Sequence, residues 1–121
     1  MSEVVVTNRG VGGALCLPGR PALPVTVLLR HSSQEPPALR AVVVLDDEEP
    51  VDLVFDRSLV SEGITGRARD GVVQVRVEND RVRLLVGGLT LTLPLADVVD
   101  LLLASYLAAP TDAAPTDAAP T

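Results

Sequence analysis

Apolar and polar residues alternate between residues 73 and 93, and this pattern predicts an antiparallel β-meander. Two-residue turns at Asn79-Asp80 and Gly87-Gly88 would divide it into three strands. In that register Val77 faces Val82, and Val82 faces Leu93, so one side of the meander is wholly aliphatic. A slip of one residue would move all these side chains to the other side, so the two turns support the same pairing.

The opposite side of the meander is polar and carries an unfavourable pair. Arg76 lies directly opposite Arg83, while Glu78 lies opposite Arg81. Like charges across a strand pair repel by a few tenths of a kcal/mol to about 1 kcal/mol. Two interpretations stay open: the guanidinium groups turn to solvent or borrow a carboxylate of their own chain, or Arg76 and Arg83 contact an acidic partner surface.

A C-terminal helix is predicted after Pro94, a residue suited to a first helical turn. We expect it to pack on the aliphatic side of the meander through one apolar stripe, with Leu101 on the flank of its polar side. The stripe comprises Leu95, Val98, Val99, Leu102 and Tyr106, widened by Leu103 and Leu107.

A strand that runs directly into a short helix is predicted over residues 51–63. Val51 to Phe55 alternate as a half-buried strand does, and Asp56 can cap the helix that follows. Leu59 then lies at helical spacing, and Gly63 is expected to end the helix in the left-handed conformation. Phe55, the single phenylalanine, is expected to be a packing centre at the junction.

The N-terminal half is less regular. Residues 1–22 have an uncertain structure, in which Glu3–Thr7 would be an edge strand and Ala14–Leu17 a second strand beyond a glycine-rich turn. Val25–Arg30 predicts a strand. Leu39–Leu45 predicts a central strand buried on both faces, or one face of a protomer interface.

The chain is predicted to form one α+β domain, because 121 residues with 47% hydrophobic content support a single core. We place the domain at residues 23–108. Four consecutive acidic residues at 46–49 indicate a solvated hairpin loop, and the Ala-Pro-Thr-Asp repeats of residues 109–121 indicate a disordered tail. No apolar run reaches the roughly 20 residues that span a bilayer, so we expect no membrane insertion and a cytoplasmic location.

The composition argues against catalysis. Cys16 and His31 are the single residues of their types, so a metal site or a Cys-His pair is hard to assemble. There is no Lys and no glycine-rich phosphate loop, and we predict no catalytic residues, no cofactor and no metal. A net charge of −6 and few aromatic residues also disfavour nucleic-acid binding.

Three segments carry a family resemblance. Leu53–Ile64, LVFDRSLVSEGI, resembles the central signature of the SsgA-like proteins, the sporulation and cell-division regulators of filamentous actinobacteria. Upstream, Leu29–His31 and Glu35–Leu39 resemble that family's Leu-Arg-Tyr and Asp-Pro-Tyr-Ala-Val motifs. Downstream, Asp70–Val75 lies where the family has Gly-Asp-Val-Arg-Val. The family's aromatic residues are replaced here by His31, Pro37 and Leu53.

The resemblance implies a whirly-like subunit fold, a homo-oligomer that is a trimer in the family, and contacts with other division or sporulation proteins at the septum. It implies a non-enzymatic regulator of septum-site selection or of the FtsZ division ring. The family-signature residues are Arg30, Glu35, Pro36, Phe55, Arg57, Leu59 and Gly63. Their arginines are the candidates for partner contact. A whirly-like nucleic-acid-binding module and a scaffolding domain unrelated to division remain alternatives.

Overall fold

The structure is a computed structural model that describes residues 3–46 and 48–112. The α+β class expected from the sequence is confirmed. Its elements, in chain order, are β1 (Val6–Cys16), β2 (Leu23–Ser32), β3 (Ala38–Val44), β4 (Val51–Asp56), α1 (Arg57–Gly63), β5 (Arg67–Asp70), β6 (Val73–Glu78), β7 (Arg81–Val86), β8 (Leu89–Pro94) and α2 (Leu95–Ala108).

All eight strands join one antiparallel sheet, in the order β4-β3-β2-β1-β8-β7-β6-β5. Its two edge strands are linked by α1 and the residues 64–66. A flat sheet of this width would separate its edges by roughly 33 Å. A seven-residue helix and three extended residues span only about 20 Å. The sheet must therefore curl, and both helices pack on its inner side.

The meander formed by β6, β7 and β8 has the predicted register in both hairpins. Val77 pairs with Val82, and Val82 pairs with Leu93. Asn79 and Asp80 have φ values of 50° and 62°, as a type I′ turn requires. The aliphatic side of the meander is buried against the helices, which confirms the expected core face.

The prediction for the N-terminal residues was wrong, because β1 is one continuous strand at the centre of the sheet. It pairs with β2 along its length and with β8 at its end. Val11 and Leu15 point into the core from the same face as Gly13. A Cβ on Gly13 would lie 2.8 Å from the Thr92 carbonyl oxygen, so this glycine permits close packing and does not mark a turn.

The prediction for Leu39–Leu45 was also wrong in one respect. Strand β3 lies second from the sheet edge and is buried on its inner face only. Leu39, Ala41 and Val43 point into the core, whereas Val44 on the other face is 46% exposed. The acidic segment that follows connects β3 to β4, as expected for a hairpin loop.

Helix α2 packs across β1, β2, β7 and β8, a wider surface than the predicted meander. Its buried face consists of Val98, Leu101, Leu102 and Ser105. The helix is thus rotated by roughly 60° from the predicted stripe. Leu101 belongs to the core, while Leu103 and Leu107 are 59% and 85% exposed.

The rotation buries Ser105, and the helix itself makes this burial possible. Its hydroxyl donates to the Leu102 carbonyl oxygen at 2.7 Å, so a serine can be fully buried without an unmet hydrogen bond. On the outer flank of α2, Arg9 binds Asp97 at 2.7 Å and Asp100 at 3.2 Å. These exposed ion pairs connect the helix to β1.

Candidate interaction surface

The outer face of β5, β6 and β7 points away from both helices and is rich in arginine. The alternation of each strand places one residue in two on this face. Five of the ten basic residues of the chain lie there: Arg67, Arg69, Arg76, Arg81 and Arg83. We call this surface the arginine face.

The register places three of these arginines side by side. Arg67 pairs with Arg76, and Arg76 pairs with Arg83, on neighbouring strands about 4.8 Å apart. Arg83 Nε lies 3.1 Å from the Glu78 carboxylate, and Arg76 Nε lies 3.9 Å from the same oxygen. The two predicted partner-contact residues therefore borrow a carboxylate of their own chain, one of the two interpretations that the sequence left open.

This compensation is incomplete. Glu78 is the one acidic residue whose side chain shares the outer face of β5 to β8, strands that the structure describes in full. The Nε group of Arg76 is buried and has no hydrogen-bond partner among the described residues. Four positive charges therefore remain uncompensated by neighbours on this face, in a chain whose net charge is −6. The arrangement can bind carboxylates or another anion.

The first family motif lies on β2 and the turn after it. Arg30 is exposed on the outer face and lines a surface cleft of about 410 Å³. Glu35 forms an ion pair with Arg40 at 3.1 Å, and Arg40 forms a second ion pair with Asp52. Pro36 is fully buried, and its carbonyl accepts a 3.1 Å hydrogen bond from His31 Nε2. Among these residues Arg30 is the exposed cation that a partner could contact, while Glu35 is also exposed but is paired with Arg40.

His31 is buried next to this motif. Desolvation lowers the pKa of its imidazole, and the nearby charge of Arg57 acts in the same direction, while the Pro36 hydrogen bond opposes both. The folded domain therefore favours the neutral form of the imidazole. It supports the turn between β2 and β3 and takes no part in the exposed surface.

The second family motif is structural. Phe55 and Leu59 are buried in the core, as expected. Asp56 caps α1 by accepting a hydrogen bond from Ser58 N at 2.9 Å. The Ser58 hydroxyl donates to the same oxygen at 2.6 Å, and this second hydrogen bond is the main cause that lowers the pKa of the Asp56 carboxyl. The predicted left-handed role of Gly63 was wrong, since the helix continues to it with an ordinary φ. A Cβ there would lie 2.5 Å from Val75 Cβ, so Gly63 allows α1 to touch β6.

Arg57, the arginine of this motif, is completely buried and is not a partner contact in this conformation. Its Nη1 donates to the carbonyl oxygens of Ser105 at 3.0 Å and Ala109 at 2.7 Å. Its Nη2 donates to the Thr111 carbonyl at 3.0 Å and to Asp112 Oδ1 at 2.7 Å, and its Nε donates to the same carboxylate at 3.0 Å. All five N–H donors of the guanidinium are therefore used.

These hydrogen bonds fix the start of the tail on Arg57. Residues 109–112, which the sequence placed in a disordered segment, pack on Arg57, while residues 113–121 lie outside the described residues. The Tyr106 ring stacks on the same guanidinium, 4.0 Å from its central carbon. This cluster, defined by Arg57, Ser105, Tyr106 and Ala109, is called the Arg57 pocket below.

Two further properties concern the part of the chain that the structure describes. It contains no group of three His, Cys, Asp or Glu side chains placed to hold a metal ion. None of its helices is long and apolar enough to span a membrane.

Comparison with protein families gives one match that covers most of the chain. Residues 25–113 match the family described as the Streptomyces sporulation and cell division protein SsgA. A curated relative, the sporulation-specific cell division protein SsgB of Thermobifida fusca (strain YX), is 34% identical over 70 residues. This stretch covers 58% of the chain and 51% of the relative, so the chain spans about half the length of the curated relative it matches.

Two solved structures share the fold. One is SsgB of Streptomyces coelicolor, described with mutations that correlate to longitudinal cell division during sporulation. It is 24% identical, with a TM-score of 0.79 over 91% of this chain and 93% of the other. The second is the SsgA-like sporulation-specific cell division protein of Thermobifida fusca YX-ER1. It is 25% identical, with a TM-score of 0.78 over 92% of this chain and 86% of the other.

Proposed function

Because the chain belongs to the SsgA family of sporulation and cell division proteins, we propose that it is a non-enzymatic regulator of sporulation-specific cell division that acts by binding other proteins. Its partners would be copies of itself and components of the division machinery. Selection of the septum site, through recruitment or control of the FtsZ ring, is the role that the resemblance favours.

The observation that supports contact-based action is the arginine face. Closely spaced like charges on neighbouring strands are unfavourable for the isolated domain, by up to about 1 kcal/mol for each directly opposed pair. Glu78 offsets part of this repulsion. An acidic protein surface would offset the rest through the exposed ends of these guanidinium groups.

A protein partner suits this face better than a single-stranded nucleic acid. Sequence-tolerant binding of single strands combines phosphate contacts with aromatic rings on which bases stack. The chain has one Phe and one Tyr, and neither lies on the arginine face: Phe55 is in the core, and Tyr106 stacks on Arg57 on the helix side. The net charge of −6 would further repel nucleic acid at a distance.

The proposal is tested by complementation in the organism that encodes the chain. We expect deletion of the gene to disturb sporulation septa and the wild-type chain to restore them. The R76A/R83A variant should fold, with a melting temperature within a few degrees of the wild type, and should fail to restore septation. R9A/R20A is the matched control. It removes two arginines outside the arginine face and breaks exposed ion pairs worth at most about 1 kcal/mol.

Two results would count against the proposal. Normal septation after deletion would favour a scaffolding role unrelated to division. Full complementation by R76A/R83A would remove the arginine face as the contact surface. Static light scattering on the purified chain gives the subunit number, for which we expect a trimer.

A further inference from the structure

The Arg57 pocket binds the tail through guanidinium N–H groups that donate to a backbone carbonyl and to a carboxylate. The guanidinium is fully buried and rigidly placed, because Tyr106 stacks on it and the end of α2 accepts two of its N–H groups. Its remaining donors bind one backbone carbonyl, from Thr111, and one carboxylate, from Asp112. No apolar side chain of the tail is needed for these contacts.

The tail contains this ligand twice. Ala109-Pro110-Thr111-Asp112 is repeated five residues later as Ala114-Pro115-Thr116-Asp117. The second repeat therefore has a backbone carbonyl at Thr116 and a carboxylate at Asp117 with the same spacing as the contacts made by Thr111 and Asp112. The chain therefore contains two copies of the sequence that the pocket binds.

We propose that the Arg57 pocket is a binding site for the Thr-Asp pair of an Ala-Pro-Thr-Asp repeat and that either repeat of the tail can supply this pair. The first repeat occupies the pocket in the structure, with Asp112 bound three residues after Ala109. In the second register Asp117 would bind eight residues after Ala109, so the chain would have to close a longer loop. The charge of Arg57 is then neutralised in both registers.

The preference between the two registers follows from loop closure. The closure probability of a flexible loop falls with the 3/2 power of its length, so lengthening it from three residues to eight makes closure about fourfold less probable. The first repeat is therefore favoured, but only modestly. Loss of Asp112 should shift the chain to the second register, whereas loss of Asp117 should have almost no effect.

The test is thermal unfolding of four full-length chains: wild type, D112A, D117A and D112A/D117A. From the loop-closure ratio we expect D117A to lower the melting temperature by less than about 1 °C and D112A by about 4–5 °C. The double variant loses both aspartate carboxylates of the tail, and should lose roughly 10 °C. The inference is wrong if D112A is as unstable as the double variant, or if none of the three variants differs from the wild type.

A second measurement supplies the ligand from outside. We expect a capped peptide, acetyl-Ala-Ala-Pro-Thr-Asp-Ala-amide, to raise the melting temperature of D112A/D117A. The tail of that variant has no aspartate to compete with the peptide for Arg57. The wild type should respond several-fold more weakly, since its own tail competes at a millimolar effective concentration. The same peptide with Ala in place of Asp is the control and should have no effect. Equal stabilisation by both peptides, or no stabilisation by either, would show that the pocket does not recognise this segment.

Discussion

Replacement of Gly63 by Ala tests whether α1 packs as closely on β6 as the structure shows. The added Cβ would collide with Val75 Cγ1 and lie 2.5 Å from Val75 Cβ, whereas carbon atoms prefer about 3.5–4.0 Å. Val75 is fully buried, so it has no space into which to move. The helix and the strand must therefore separate by about 1 Å, with loss of the contacts around them.

Overpacking of this kind costs about 1–3 kcal/mol or more, which outweighs the advantage of roughly 1 kcal/mol that Ala has over Gly in a helix. Because Val75 cannot move aside, we expect a cost at the upper end of this range, which leaves a net loss of about 2 kcal/mol and a fall in melting temperature of roughly 10 °C, measured by circular dichroism. Gly12→Ala is the matched control. Gly12 has open space around it and no positive φ, so its replacement should leave stability unchanged or raise it by about 0.4–1 kcal/mol. Equal melting temperatures for the two variants would refute the close contact.

Two other predictions concern the turn and the helix cap. Because burial lowers the pKa of His31 in the folded domain, the unfolded chain binds the proton more readily. The free energy of unfolding should therefore fall as the pH drops below about 6.5. We expect His31→Gln to weaken this pH dependence when the free energy is measured by urea unfolding at several pH values. An unchanged pH dependence in the variant would contradict the role of His31. Asp56→Ala removes the cap of Ser58 N and should cost about 1 kcal/mol in the same assay, whereas Asp56→Asn should retain most of that stability.

The meander could be predicted because its register depends on local chemistry. Asn79 and Asp80 tolerate positive φ, and the flanking side chains alternate except at Leu85, so one pairing places every other aliphatic residue of the meander on the buried side. Strand β1 could not be predicted in the same way. Its core face includes Gly13, which contributes no side chain to the pattern, and the reason for that glycine is the carbonyl oxygen of Thr92 on a strand distant in sequence.

Helix α2 and the tail show the same limit. The periodicity of α2 fitted two faces about 60° apart, and Ser105 looks polar in the sequence although its hydroxyl is satisfied within the helix. The tail lacks large apolar residues, so its sequence offers no hydrophobic pattern. It binds Arg57 through backbone carbonyls and one carboxylate, and such contacts leave no hydrophobic pattern to read.

The arginine face could be predicted in part. Arg76 opposite Arg83 followed from the hairpin register alone. The edge strand β5 was missed because it has only four residues, although the alternation of Arg67, Ala68 and Arg69 is the signal that could have identified it. Its pairing with β6 is what turns a single arginine pair into an extended cationic surface.

Binding of the arginine face to an acidic partner of the division machinery can be measured by co-sedimentation with polymerised FtsZ at moderate salt. Loss of two exposed charge pairs should weaken binding about fivefold or more. We expect the wild type and R9A/R20A to sediment with the polymer and R76A/R83A to remain largely in the supernatant. Equal sedimentation of all three chains would show that the arginine face does not bind the polymer.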